Sequence, residues 1–168
     1  IKTATVQVHP SIVRTPTNTS FSAESQQQVV AFLNAEKIVK AVPDKMEFEV
    51  GEIKGRGQFD WFQNDMESIG QEVEALETDA DYILVMEVLF PPQRGNRQSV
   101  FGIHCIVLDT EGQNVFSFLL NSHHRMFVDA QMEGEGDSGA VRDALVEQAT
   151  SVGLAALAQQ IKNATSVP

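Results

Sequence analysis

The side chains in this sequence that could do chemistry are four histidines, one cysteine, a Gly-Asp-Ser-Gly run and a dense set of carboxylates. Gly136-Asp-Ser-Gly139 has the form of a nucleophilic-serine motif, with His104 upstream as the possible base. A nucleophilic serine needs that base within hydrogen-bond reach and a third group to orient it. The stretch between His104 and Ser138 is too short to build the two barrels that usually surround such a triad. Asp137 or Ser138 is better explained as the N-cap of a helix. Cys105 lies in the apolar run Phe101-Gly-Ile-His-Cys-Ile-Val-Leu108. A catalytic thiolate wants exposure and nearby positive charge. The neighbouring His104 would point to the other face of a strand, so a buried, inert thiol is expected. As the only cysteine it can form no intrachain disulfide.

Metal chemistry fares no better. Zinc wants three or four ligands converging on one point. His123 and His124 face opposite ways on any strand, and a hairpin whose paired numbers sum to roughly 222 sets His104 against Phe118 rather than His123. His9 stands alone near the start of the chain. Glu133, Glu135 and Asp137 lack the ligand order of a calcium loop and precede a helix start, where the helix dipole favours acids in any case. Gly55 and Gly57 lead into no phosphate-cradling lysine. The expectation is no catalytic residue, no metal and no cofactor.

Recognition chemistry is better represented. Phe59-Asp-Trp-Phe62 places three aromatics within four residues, and rings of this kind at an exposed edge anchor protein partners. The net charge of −11 is concentrated: Asp60 to Glu87 holds nine acids and no Lys or Arg, and Asp109 to Asp137 carries six acids against Arg125. This balance argues against nucleic acid, whose binding rests on Lys and Arg neutralising phosphates. Phe59, Trp61 and Phe62 with Glu72, Glu74 and Glu77 are therefore the candidate partner-binding residues, and the expected partner is basic.

The elements that must position these residues follow from periodicity. Thr3 to His9 alternates as a half-buried strand, followed by a Pro10–Pro16 polar connection ending at Asn18-Thr-Ser20. A helix capped by Ser20 or Ser22 runs through Gln26 to Leu33. Ile38 to Val42 is a short strand or a final helical turn, stopped by Pro43. Met46 to Ile53 alternates as an edge strand, with Glu47, Glu49 and Gly51 outward, and Lys54-Gly-Arg-Gly57 breaks it. Asn64-Asp-Met-Glu67 fits a capping box opening a helix with the stripe Met66, Ile69, Val73, Leu76. Asp81 to Phe90 reads as a central strand covered on both faces. Ser99–Leu108 and Asn114–Leu120 form a hairpin turning on Gly112, the second arm continuing through His123 to Val128. Met132 to Gly139 is an acidic loop, and a helix over about 140–162 follows, whose Gly153 and alanines allow close approach to a sheet. The expected fold is one α/β domain over 1–168, with an α+β tendency: a mixed sheet of about five strands, helices packed against it, and a long C-terminal helix.

Two of these segments carry a resemblance. Thr78-Asp-Ala-Asp-Tyr-Ile-Leu-Val85 is similar to the Ala-Asp-Tyr-hydrophobic strand start of a group of bacterial envelope lipoproteins. Ile106-Val-Leu-Asp-Thr-Glu-Gly-Gln-Asn-Val-Phe116 resembles its next hairpin. The group includes the amino-terminal domain of TolB, the curli-secretion protein CsgG and the lipoprotein activators of penicillin-binding proteins. Met86 stands where the group often has Gly. Most members are non-catalytic scaffolds, so the resemblance transfers no catalytic residue. It implies a non-enzymatic protein-interaction or assembly domain, periplasmic or anchored to the outer membrane and facing the periplasm. Any lipid anchor or signal would precede Ile1. The competing expectation is a small-molecule-binding or hydrolytic domain with its site dispersed over loops.

Overall fold

The structure, a computed structural model, describes residues 3–37, 39–52 and 55–165. Ile38, Ile53 and Lys54, which fall in the expected strand ends and breaker, lie outside the described residues. Two short segments, β1 (Thr5–Val8) and β2 (Ser11–Thr15), run end to end. They then turn back through β3 (Asn18–Ser22) into α1 (Ala23–Glu36) and β4 (Lys40–Pro43). Helix α2 (Gln58–Glu74) leads to β5 (Tyr82–Leu89), β6 (Arg97–Ser99), β7 (Gly102–Asp109) and β8 (Asn114–Leu120). The chain closes with α3 (Arg125–Asp129), β9 (Glu133–Glu135) and α4 (Gly139–Thr165).

Seven strands make the main sheet, and they occupy five ranks. β1 pairs in parallel with the first half of β5 (Val6↔Tyr82), and β2 with its second half (Val13↔Val88). Beyond them lie β4, parallel to β1, and β3, antiparallel to β2. On its other side β5 pairs antiparallel with β7, which pairs with β8. The expected mixed α/β sheet with a long C-terminal helix is present. β6 and β9 form a separate two-stranded piece.

Alternation along the strands sends side chains into two cores. Val6, Val8, Val13, Leu84, Met86, Val88 and Ile103 face α1 and α4, while Ile12, Ile83, Val85, Ile106 and Leu108 face α2. β5 is buried on both sides, as its apolar run requires. Gly153 lets α4 lie close on the sheet: a Cβ there would come within 2.3 Å of Met86 Cε. A hydroxyl chain, Ser11 to Ser25 at 2.8 Å and Ser25 to Thr150 at 2.7 Å, ties β2, α1 and α4 together inside this layer.

Several expectations need correction. Ser22 does cap α1, its hydroxyl accepting from Ser25 N, but the polar connection before it is the β2–β3 hairpin. α2 begins at Gln58 with Gly57 as N-cap, six residues before the capping box, so the Phe59–Phe62 aromatics form its first turn. Burial of Phe62 and Ile69, at about 1.5–3 kcal/mol per side chain, outweighs a favourable cap at Asn64. Met46 to Glu52 shows the expected alternation, with Phe48 buried and Glu47, Glu49 and Gly51 exposed, yet it pairs with no strand. A bulge between Val107 and Leu108 moves His104 opposite Leu119 rather than Phe118. Residues 125–129 turn into α3 instead of prolonging β8, and the acidic loop contains β9.

Candidate functional site

The face of the sheet beneath α2 carries four ionisable groups in its apolar interior. Arg14 (β2), Glu87 (β5) and His104 (β7) stand on neighbouring strands, and Asp65 descends from the buried side of α2. The registers bring them together. Glu87 lies opposite His104, and Arg14 sits opposite Leu89, one same-face step along β5. All four residues are at most 3% exposed, so desolvation decides their chemistry.

Arg14 grips Asp65 with Nη1, which donates at 2.7 Å to each carboxylate oxygen, and its Nη2 donates to the carbonyl of Gly51. Nη1 is 4.0 Å from Glu87 Oε2, and Glu87 Oε1 is 2.7 Å from His104 Nδ1. That last approach is close but lacks hydrogen-bond alignment, and both ring nitrogens of His104 and both oxygens of Glu87 have no aligned donor or acceptor among the described residues. The ring of His104 packs edge-on against Phe62 at 4.8 Å.

Burial, and then the neighbouring Glu87 carboxyl, push Asp65 up to about 8 in spite of Arg14. Burial also raises Glu87, whose carboxyl lies within reach of Asp65. Both buried carboxyls therefore hold a proton to higher pH than a free acid does. Burial pushes His104 down to about 3, so its imidazole is neutral.

Asp65, Glu87 and His104 offer donor atoms that all lie within 4.8 Å of one another, a possible set for a divalent ion. The residues present do not fit one well. Arg14 already occupies both oxygens of Asp65. With both carboxylates ionised, a divalent cation beside Arg14 would leave a net positive charge in the interior. As an arrangement, the Arg14–Asp65 pair clamps α2 to β2.

Sequence reasoning missed this cluster, although signals for it exist. Glu87 interrupts a strand that is apolar on both faces, and Asp65 falls on the apolar stripe of its helix between Phe62 and Ile69. Each needs a buried partner. His9, also buried, is a separate structural residue: its Nδ1 donates to the Met46 carbonyl at 2.9 Å and its ring packs on Phe48 at 4.3 Å.

The residues proposed for partner binding are dispersed. Phe62 is 5% exposed and belongs to the core, so its ring is not offered to a partner in this fold. Phe59 is 62% exposed, and the half-buried Trp61 stacks at 5.9 Å on Phe101, itself 38% exposed. Glu74 and Glu77 are exposed, while Glu72 Oε1 accepts from Glu49 N at 2.9 Å. At about 1.5 Å rise per residue, Phe59 and Glu74 stand roughly 20 Å apart along α2. The aromatics and these acids are two surfaces. Among the described residues no helix is long and apolar enough to cross a membrane.

Comparison with protein-family models and with curated proteins finds no match. A solved structure described as an uncharacterized protein aligns over 94% of this chain and 92% of its own, at 10% identity and a TM-score of 0.33.

Proposed function

We propose that this chain is a non-enzymatic protein-interaction or assembly domain of the bacterial cell envelope, working in the periplasm, and that its partner docks at the first turn of α2. The observation that carries the reading is Phe59, 62% exposed on a helix whose next ring, Trp61, leans on the exposed Phe101. Large aromatics left in water at the end of a helix cost solvation that a partner would recover. The charged cluster, in contrast, is sealed beneath α2, out of reach of a soluble substrate. Asp60, exposed beside the rings, gives the surface an acidic character that suits a basic partner. The envelope assignment rests on the resemblance of residues 78–85 and 106–116.

A Phe59→Ser, Phe101→Ser double variant tests the proposal. Photo-crosslinking from a probe at Gln63, exposed one turn away, should trap a periplasmic protein with the wild-type chain. That adduct should disappear in the variant while circular dichroism stays unchanged, and it should weaken with added salt. An identical adduct in wild type and variant, or none in either, rejects the docking site.

A further inference from the structure

Strand β8 is the open edge of the main sheet: among the described residues it pairs with β7 and with no other strand. Edge strands normally carry a charge, a proline or a bulge directed outward that discourages another chain from adding to them. β8 is bulged at Val115, but beyond the bulge, from Phe116 to Ser122, it holds none of the four charged residue types and no proline. Val115 is 51% exposed, and Phe116, Ser117, Phe118 and Leu119 are each only partly buried.

The order of residues along this edge is self-complementary. The strand is seven residues long with Ser117 at its midpoint, and reads Asn-Val-Phe-Ser-Phe-Leu-Leu. Antiparallel pairing with a second copy about Ser117 sets Phe116 opposite Phe118 twice, in the regular part of the strand beyond the bulge at Val115. Aromatic pairs across strands are among the favourable cross-strand contacts. Within one chain Phe116 and Phe118 already meet edge-on at 5.8 Å, so the pairing would join two such pairs into one aromatic row. We infer that β8 is the interface of a two-fold symmetric homodimer, in which the sheets of two copies become continuous.

Two further observations favour a second copy of this chain over another occupant. A two-fold interface needs one patch that complements itself, which the Phe116-Ser117-Phe118 centre supplies. The chain carries a net charge of −11, and β8 is an uncharged stretch along which two acidic copies can meet without direct repulsion. Next to the edge an apolar depression of about 220 Å³ continues the surface, lined by Tyr82, Val107, Val115, Phe116, Leu157 and Ile161. Stable dimers bury roughly 1,200–2,000 Å² in total. A seven-residue edge, about 23 Å long, supplies only part of that area. Dissociation in the micromolar range is therefore expected.

The test uses the whole chain. Analytical ultracentrifugation from about 1 to 500 µM should show a monomer–dimer equilibrium. Ser117→Lys places two ammonium groups face to face at the dyad and should weaken dimerisation by roughly tenfold or more. Its circular dichroism should match wild type, because Ser117 is partly exposed. Ser117→Cys should form an intermolecular disulfide under mild oxidation, since paired residues lie within the Cα separation a disulfide spans. Asn114→Cys is the control: two copies of that position would be about 20 Å apart in this register. A monomer throughout the range, a Ser117→Lys dimer as tight as wild type, or equal crosslinking at positions 114 and 117 would overturn the inference.

Discussion

The buried carboxyls should make the stability of this fold fall as pH rises above neutrality. The perturbation is Glu87→Gln, which keeps the shape of the side chain and removes the carboxyl that, after burial, does most to raise Asp65. Below pH 6.5 two buried histidines oppose the acids, because burial lowers His104 to about 3 and lowers His9 from the ordinary value of 6.5. At those two sites the unfolded chain binds protons that the folded chain does not, which offsets the effect of the acids. The carboxyl pair acts in the opposite direction. Asp65, raised from 3.8 to about 8, keeps a proton in the folded state that the unfolded chain has released. Its contribution is complete below 3.8 and is lost progressively as pH rises to about 8. One proton corresponds to about 1.4 kcal/mol per pH unit, so between pH 7 and 8, where unfolded histidines are mostly neutral, roughly 1 kcal/mol should be lost. The stability of the wild-type chain therefore falls above pH 7, and Glu87→Gln shows a shallower fall, because burial alone still raises Asp65. Urea denaturation followed by Trp61 fluorescence and far-UV circular dichroism, in steps from pH 5 to 8.5, measures both curves. A wild-type stability that is flat or rising above pH 7, or an equally steep fall in Glu87→Gln, refutes the reasoning.

Three other outcomes are expected. Arg14→Met should cost about 3–5 kcal/mol by leaving Asp65 buried without its guanidinium, and adding Asp65→Leu should recover much of that loss in chemical denaturation. Gly70→Ala should destabilise by about 1–3 kcal/mol, because a Cβ there would lie 2.7 Å from the Gly112 carbonyl in the β7–β8 turn; thermal melting reads the change. The Cys105 thiol, pushed up to about 12 by burial, should react with a disulfide reagent only at the rate of global opening, so its labelling should track denaturant concentration.

What was legible in the sequence was local. Ser22 caps α1, the Tyr82–Leu89 run is a strand covered on both faces, and Gly112 at φ +75° turns the β7–β8 hairpin. The close approach of Gly153 to the sheet also follows from residue size. Where local signals competed with burial, burial prevailed. Asn64 has the better cap chemistry, yet α2 starts at Gln58 because Phe62 and Asp65 both have places beneath the helix. The Ser11–Ser22 stretch, interrupted by Pro16, becomes a hairpin whose first arm pairs with the half of β5 that β1 leaves free.

By itself the sequence determined the class of fold and the net acidity, since each depends on residue type and on spacing along short segments. Tertiary structure alone decided the cluster. Arg14, Asp65, Glu87 and His104 come from four separate elements, and their protonation depends on a water-free space that exists only when α2 closes over the sheet. It also decided which aromatics a partner can reach, burying Phe62 while leaving Phe59 in water. A helix with one face to the core treats residues three positions apart differently once its first turn reaches past the edge of that core.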